Sequence, residues 1–291
     1  LDINYELYKV FYHVANTLSF SEASKQLFIS QSAVSQSIKV LEKKLNQPLF
    51  IRSTKRVQLT PEGEILLKHI EPAMNLIRQG ENQLLEANTL NGGQLRIGAS
   101  DTICRYYLVS YLKDFHRRYP NVHIKVTNQT SIACAKLLES GQVDFAITNY
   151  PNSGLSNTQN VRIIREFKDV FVANDEYKEL KDKTVSLKDL KQFPILMLDR
   201  KSTTSEFLHS MFQRHQLDLV PEIELSSNDL LIDLARIGLG VAFVPDYCIP
   251  ENERSLFKVQ IEEELPIRQI VVASNDSLPI SQAAKQFMEM L

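Results

Sequence analysis

The chain has 291 residues, 43% hydrophobic and 23% charged, a balance that excludes a disordered chain, a collagen and a disulfide-dense mini-protein. At roughly 150 residues per domain the length fits about two domains, and no stretch reaches the roughly 20 apolar residues that a membrane helix needs. Net charge is −2, yet residues 1–60 hold Lys9, Lys25, Lys39, Lys43, Lys44, Arg52, Lys55 and Arg56 against only Asp2, Glu6, Glu22 and Glu42, so a small basic end precedes an acidic body, the charge signature of a DNA-reading module joined to something else.

The opening residues Leu1–Glu6 show no basic stretch followed by an apolar one, so no secretory signal is expected. Cys104, Cys134 and Cys248 form no CxxC pair. Such sparse usage fits a reducing compartment, and a cytoplasmic location with no membrane partner is expected.

Leu7, Val10, Phe11, Val14 and Leu18 recur at helical spacing and predict a first helix. Ser19-Phe20-Ser21-Glu22 supplies a break and an N-cap, and Ala23, Leu27 and Phe28 mark a second, short helix. Ser30 is a candidate cap for a third, marked by Val34, Ile38, Leu41 and Leu45 and ended by Asn46. Two short helices around a tight turn form a helix-turn-helix pattern. Gln31, Ser32, Ser35, Gln36 and Lys39 lie off the apolar stripe of the third. Gln pairs with adenine edges and Ser reaches bases or phosphates; on an isolated helix such a face is as well explained by solvation. Pro48–Thr60 reads as two short strands around a basic tip, with Arg52, Lys55 and Arg56 set to meet phosphates.

The run from Ser19 to Glu64 resembles the N-terminal domain of LysR-type transcriptional regulators. The resemblance rests on Ser19, Phe20, Ala23 and Leu27, then Ser30–Ser35 (SQSAVS), Ile38, Leu41, Glu42 and Leu45, then Pro48, Leu49, Phe50 and Arg52, and finally Leu59, Thr60 and Gly63. Ser32 stands where the family often has proline. The resemblance implies an α plus α/β chain: a winged helix-turn-helix (1–60), a linker helix and hinge (61–91), and a two-lobed periplasmic-binding-protein-like α/β effector domain (92–291). Its implied DNA contacts are Ser30, Gln31, Ser32, Ser35, Gln36, Lys39, Arg52, Lys55 and Arg56.

Beyond Thr60, Leu66, Ile70, Ala73, Ile77, Gly80, Leu84 and Ala87 step by four and three along one long helix. This seam predicts a homodimer through Leu66, Ile70, Ala73, Ile77 and Leu84, and a roughly palindromic operator; a helix packed on its own domain is the alternative. Pro72 should bend the helix or loosen its hydrogen bonding. The family implies a tetramer as well, and RNA polymerase as a further candidate partner. Asn91-Gly92-Gly93 is a candidate hinge.

From Gln94 onward strands and helices alternate, which predicts parallel sheets with covering helices. Strands are expected at Gln94–Ala99, Val122–Val126, Val143–Thr148, Asp169–Ala173, Ile195–Leu198, Ile223–Leu225, Gly240–Val244 and Ile267–Ala273. The stretch Ile237–Tyr247 is similar to the family's late Gly-x-Gly-then-Val-Pro segment. Lobe I is expected to comprise 92–161 and 267–291, and lobe II 162–266.

Ligands of open α/β sheets bind beyond the carboxyl ends of the strands. The expected effector site is therefore Ser100, Asp101, Thr102, Asn128, Gln129, Thr130, Ser131, Thr148, Arg200, Lys201, Ser202, Ser226, Ser227 and Asn228. Ordinary helix capping is the rival explanation for each of them singly. Arg105, Arg200 and Lys201 are candidate anion partners, and the expected effector is a small polar metabolite, with carboxylates among the candidates. Cys104 and Cys134 lie near helix N-termini, where a thiol's pKa falls, so a redox switch is the alternative regulation; free cysteines are more commonly buried small hydrophobes, and that is the favoured reading of both. No metal spacing, P-loop, GxSxG elbow or GxGxxG is present; no cofactor, metal or catalytic residue is expected. The rival functions are a solute-binding protein and an enzyme with an appended DNA module.

Overall fold

The computed structural model describes residues 2–52, 56–87, 93–156, 159–275 and 278–291; the side chains of Arg52, Asn82, Gln83 and residues 85–87 lie outside the described set. The chain divides into two compact units at 88/89, residues 140–142 grouping with the first.

The first unit holds α1 (Tyr5–Thr17), α2 (Phe20–Leu27), α3 (Gln31–Leu45), β1 (Phe50–Arg52), β2 (Val57–Leu59) and α4 (Pro61–Ala87). Its core draws Val10, Phe11 and Val14 from α1, Phe20 and Ala23 from α2, and Val34, Ile38 and Leu41 from α3. The helix starts are capped as their sequences require. The Ser19 hydroxyl accepts from the Glu22 amide at 3.1 Å and Ser30 from the Ala33 amide at 3.2 Å; Asn46 ends α3 in the left-handed region. β1 and β2 pair antiparallel, Phe50 opposite Leu59 and Arg52 opposite Val57.

Two features fasten this wing to the helices. The Glu42 carboxylate accepts the amides of Leu49 and Phe50 at 2.9 and 3.2 Å. At the start of α4, the Thr60 hydroxyl donates to the Pro48 carbonyl at 2.7 Å and accepts the Gly63 amide at 3.0 Å. A Cβ on Gly63 would lie 2.3 Å from the Leu49 carbonyl oxygen. Gly63→Ala is accordingly expected to lower the stability of this unit by about 1–3 kcal/mol, the cost of forcing a methyl into packed backbone. Denaturant titration reads the change, and an unchanged midpoint would refute it.

The second unit contains two sheets. β3 (Gly93–Ala99) leads into α5 (Asp101–Ile103), a π-helical turn (Cys104–Leu108) and α6 (Val109–Arg118); β4 (Val122–Asn128), α7 (Ser131–Glu139), β5 (Phe145–Tyr150) and β6 (Gln159–Phe167) follow. The chain then makes β7 (Asp169–Ala173), β8 (Thr184–Val185), α8 (Leu187–Leu190), β9 (Ile195–Leu198), α9 (Thr203–Arg214), β10 (Ile223–Leu225), α10 (Asn228–Arg236), β11 (Val241–Pro245) and β12 (Phe257–Ile261), and closes with β13 (Arg268–Asn275) and α11 (Gln282–Met290). The first lobe's sheet has the order β4-β3-β5-β13-β6 and the second β10-β9-β11-β7-β12-β8.

Both sheets are mixed rather than wholly parallel. β3 runs parallel to β4 and β5, but β13 returns antiparallel to β5 and β6, and β7 lies antiparallel to β11 and β12. The reversals occur where the chain passes between lobes. The first passage falls at Lys168, not after 161, because Gln159–Phe167 is a strand of the first sheet paired along Arg268–Asn275. The second passage ends at Ile267, just before β13 begins at Arg268.

Candidate DNA interface and effector crevice

On α3, Val34, Ile38 and Leu41 are wholly buried. Gln31, Ser32, Gln36 and Lys39 are exposed and Ser35 is half-buried, so these five lie off the buried stripe, as their spacing requires. Ser30 is exposed, but its oxygen is committed to the Ala33 amide and lies 2.9 Å from the Ser32 hydroxyl. Arg56 is exposed at the wing. Lys55 and the Arg52 side chain lie outside the described residues.

The expected seam on α4 divides in two. Leu66 and Ile70, with Leu67, pack against the winged core, because the first turns of α4 lie on α1. Ala73, Ile77 and Leu84 are exposed, as is Ile65, which the heptad reading missed. Pro72 lies within α4, which continues through it as one helix.

In the second unit, the ends of β3, β4, β5, β9 and β10 enclose a cavity of about 300 Å³. It is lined by Ser100, Asp101, Thr102, Asn128, Gln129, Thr130, Ser131, Asn149, Leu198, Thr204, Ser226, Ser227 and Asn228. Ten of these thirteen were expected from the sequence. Asn149, Leu198 and Thr204 were not; Asn149 follows Thr148 on β5, Leu198 ends β9, and Thr204 lies in the first turn of α9. Thr148 is fully buried and Ser202 caps α9 through the Ser205 amide; neither lines the cavity. Arg200 and Lys201 are exposed and also lie outside its lining.

Capping and crevice roles coexist. Ser100, Thr130 and Ser227 accept the amides of Ile103, Ala133 and Leu230, so one lone pair of each is occupied and the rest of the hydroxyl stays available. The Asn228 amide donates to the Thr102 hydroxyl at 2.9 Å, joining the lobes across the cavity. Beside it the Tyr106 hydroxyl donates to Asp229 at 2.6 Å. Arg105 pairs with the same Asp229 at 3.4 Å and does not line the cavity. Buried Thr148 Oγ1, Asn149 Oδ1 and Asn228 Oδ1 have no hydrogen-bond partner. No cation lines this crevice among the described residues, and Asp101 does.

The two cysteines near the crevice, Cys134 buried and Cys104 half-buried, behave as small hydrophobes rather than as reactive thiols. Burial, with the Asp101 charge, pushes the Cys104 thiol up to about 11; burial pushes Cys134 up to about 12. Desolvation outweighs the helix-end effect, so both thiols are held protonated at neutral pH, the reverse of a reactive cysteine.

Between the lobes, behind the crevice, lies a buried ion pair. Arg268, 1% exposed, meets the fully buried Asp169 at 2.7 Å. Its guanidinium also donates to the hydroxyls of Thr204 and Thr203 at 3.1 Å each. It lies 5.3 and 5.0 Å from the ring centres of Phe167 and Phe207. Arg268 thus ties β13 of one lobe to β7 and the first turn of α9 of the other, where Thr204 lines the crevice. Sequence reasoning passed over it because a lone arginine at a strand start reads as a surface residue.

A winged helix-turn-helix in one unit and a two-lobed α/β crevice in the other define a DNA-reading module coupled to a small-molecule sensor. Residues 5–64 match the family model of the bacterial regulatory helix-turn-helix protein, lysR family, and residues 88–291 match that of the LysR substrate binding domain. The chain belongs to the LysR family of transcriptional regulators. It is 30% identical to a probable RuBisCO transcriptional regulator of Gracilaria tenuistipitata var. liui over 276 residues, 92% of this chain and 89% of that protein. Full-length CbnR complexed with its target DNA shares the fold at 17% identity and a TM-score of 0.65, covering 99% of this chain and 98% of that one. The regulatory domain of Synechocystis PCC6803 CcmR in complex with 2-PG shares it at 20% identity and a TM-score of 0.61, covering 68% of this chain and 95% of that one. Among the described residues no helix is long and apolar enough to cross a membrane, and no group of His, Cys, Asp and Glu could hold a metal ion.

Proposed function

We propose that this regulator works in the cytoplasm as a homodimer, reads operator bases with Gln31, Ser32, Ser35 and Gln36, and grips phosphates with Lys39, Arg52, Lys55 and Arg56. Ser30 acts chiefly as the cap that aims α3. Dimerisation uses the exposed part of α4, Ala73, Ile77 and Leu84, joined by Ile65. The chain carries no catalytic step of its own.

The crevice holds the effector, recognised through Ser100, Thr102, Gln129, Thr130, Ser131, Asn149, Thr204, Ser226, Ser227 and Asn228. The unpaired buried oxygens of Asn149 and Asn228 carry this reading. Buried acceptors left without donors are costly, and a ligand bringing at least two O–H or N–H donors satisfies them. A simple carboxylate lacks a cationic partner here, so we favour a small polar molecule rich in donors. That CcmR was solved with 2-PG supports a small-molecule occupant for this domain type.

The test is a binding assay on the DNA flanking the protein's own coding region, with and without a panel of polar metabolites. Asn228→Ala removes one unpaired acceptor and the bond to Thr102. It is expected to weaken the response to the active metabolite by about tenfold, the worth of one buried polar contact, with unchanged DNA affinity in its absence. An unaltered metabolite response would place the effector elsewhere.

A further inference from the structure

Arg200, excluded from the crevice, lines a separate cavity of about 350 Å³ within the second lobe, together with Ser205, His209 and Gln213 of α9 and Asp218 beyond it. Ser205 is 1% exposed, and its hydroxyl oxygen has no hydrogen-bond partner; buried His209 Nε2 has none either. The two residues stand one helical turn apart, on one face of α9. Two such orphaned groups side by side against a cavity leave bonding capacity that a ligand, an ion or water fills. Burial and the Arg200 charge lower the proton affinity of the His209 ring, while Glu224 raises it. An arriving anion would work against the first two effects.

The donors available are a guanidinium, an imidazole, a hydroxyl and a carboxamide, the set that holds an oxyanion. Two carboxylates also line the cavity. The Ser153 hydroxyl donates its one hydrogen to Glu206, 3.0 and 3.1 Å from the two carboxylate oxygens, which draws that carboxylate toward Ser153 and makes Asp218 the acceptor more open to a ligand. An acceptor beside such donors repels an oxyanion without protons and bonds one that retains a proton. We propose that this cavity is a second ligand site, built for a hydrogen phosphate group, either inorganic phosphate or a small phosphomonoester, and that Asp218 selects it over sulfate.

The full chain in phosphate-free buffer tests this by calorimetric titration and thermal melting, with inorganic phosphate, glycerol 3-phosphate and sulfate at matched ionic strength. Both phosphates are expected to bind and to raise the melting temperature by a few degrees at saturation, with sulfate much weaker; the tighter of the two identifies the source. Arg200→Gln weakens phosphate binding by about tenfold or more, as loss of a charge-assisted bond requires. Ser205→Ala weakens it too, yet melts like the parent without phosphate, since its hydroxyl makes no bond in the empty protein. Asp218→Asn narrows the gap between phosphate and sulfate. Asn228→Ala, in the crevice, leaves phosphate binding intact. The proposal is overturned if neither phosphate binds at millimolar concentration, if sulfate binds equally, or if binding survives Arg200→Gln and Ser205→Ala or is lost in Asn228→Ala.

Discussion

Arg268→Met is expected to destabilise the two-lobed unit by about 3–5 kcal/mol, because it strands the fully buried Asp169 without its partner. The loss extends beyond the ion pair, since the Thr203 and Thr204 hydroxyls lose the same donor. Burial pushes the Asp169 carboxyl up, and the Arg268 guanidinium opposes that push. Removing the guanidinium raises the folded-state value further above the unfolded value of about 3.9. The folded variant then holds the proton more tightly than its unfolded chain does. Its deficit is therefore largest at neutral pH and shrinks as the pH falls through the raised folded value toward the unfolded one. Replacing both partners, Asp169→Leu with Arg268→Met, should recover much of the loss, as apolar substitutes often do for a buried pair. Denaturant titrations of the three variants at neutral and mildly acidic pH decide the matter. A single variant within about 1 kcal/mol of the parent would mean that the pair contributes little.

The second large effect concerns DNA. Gln36→Ala should cost about 1–3 kcal/mol on the preferred operator, which is one good base contact, and should relax the choice of base at one position per half-site. Arg56→Ala should instead weaken binding on all sequences alike and reduce the salt slope by about one for each phosphate left unneutralised. The two signatures separate reading from gripping, and a fluorescence anisotropy series over salt and operator variants measures both. An unchanged salt slope in Arg56→Ala would show that the wing does not touch the backbone as proposed.

Much of this protein could be read before any coordinates. Apolar periodicity located α1, α3 and α4, and serine at Ser19 and Ser30 located helix starts, because caps and stripes are local properties of the chain. The late glycine of the Ile237–Tyr247 motif was legible too, since Gly238 adopts a φ of +81° at the end of α10. β6 escaped notice because Arg162, Arg165 and Glu166 interrupt its apolar alternation; it is an edge strand, and its outer face meets water. The antiparallel returns of β7 and β13 depend on how far the chain travels between lobes, which no local pattern encodes. Strand-end reasoning found most of the crevice but misplaced Arg200, because which way a side chain leaves a loop is fixed by packing around α9. Which of the two cysteine readings holds was not legible for a related reason: burial is a tertiary property, and it overrides the local helix-end effect.

The fastening of the wing has a mechanical consequence. Glu42 holds the wing's leading strand to α3, while Thr60 and Gly63 hold the same segment to the first turn of α4. The junction is bonded on both sides, so a twist of the long helix would be passed toward the reading head rather than absorbed in the wing. In an assembled pair with α3 reading DNA as proposed, a swivel of α4 would carry α3 with it, and the permitted spacing and curvature of the operator would then report helix tilt.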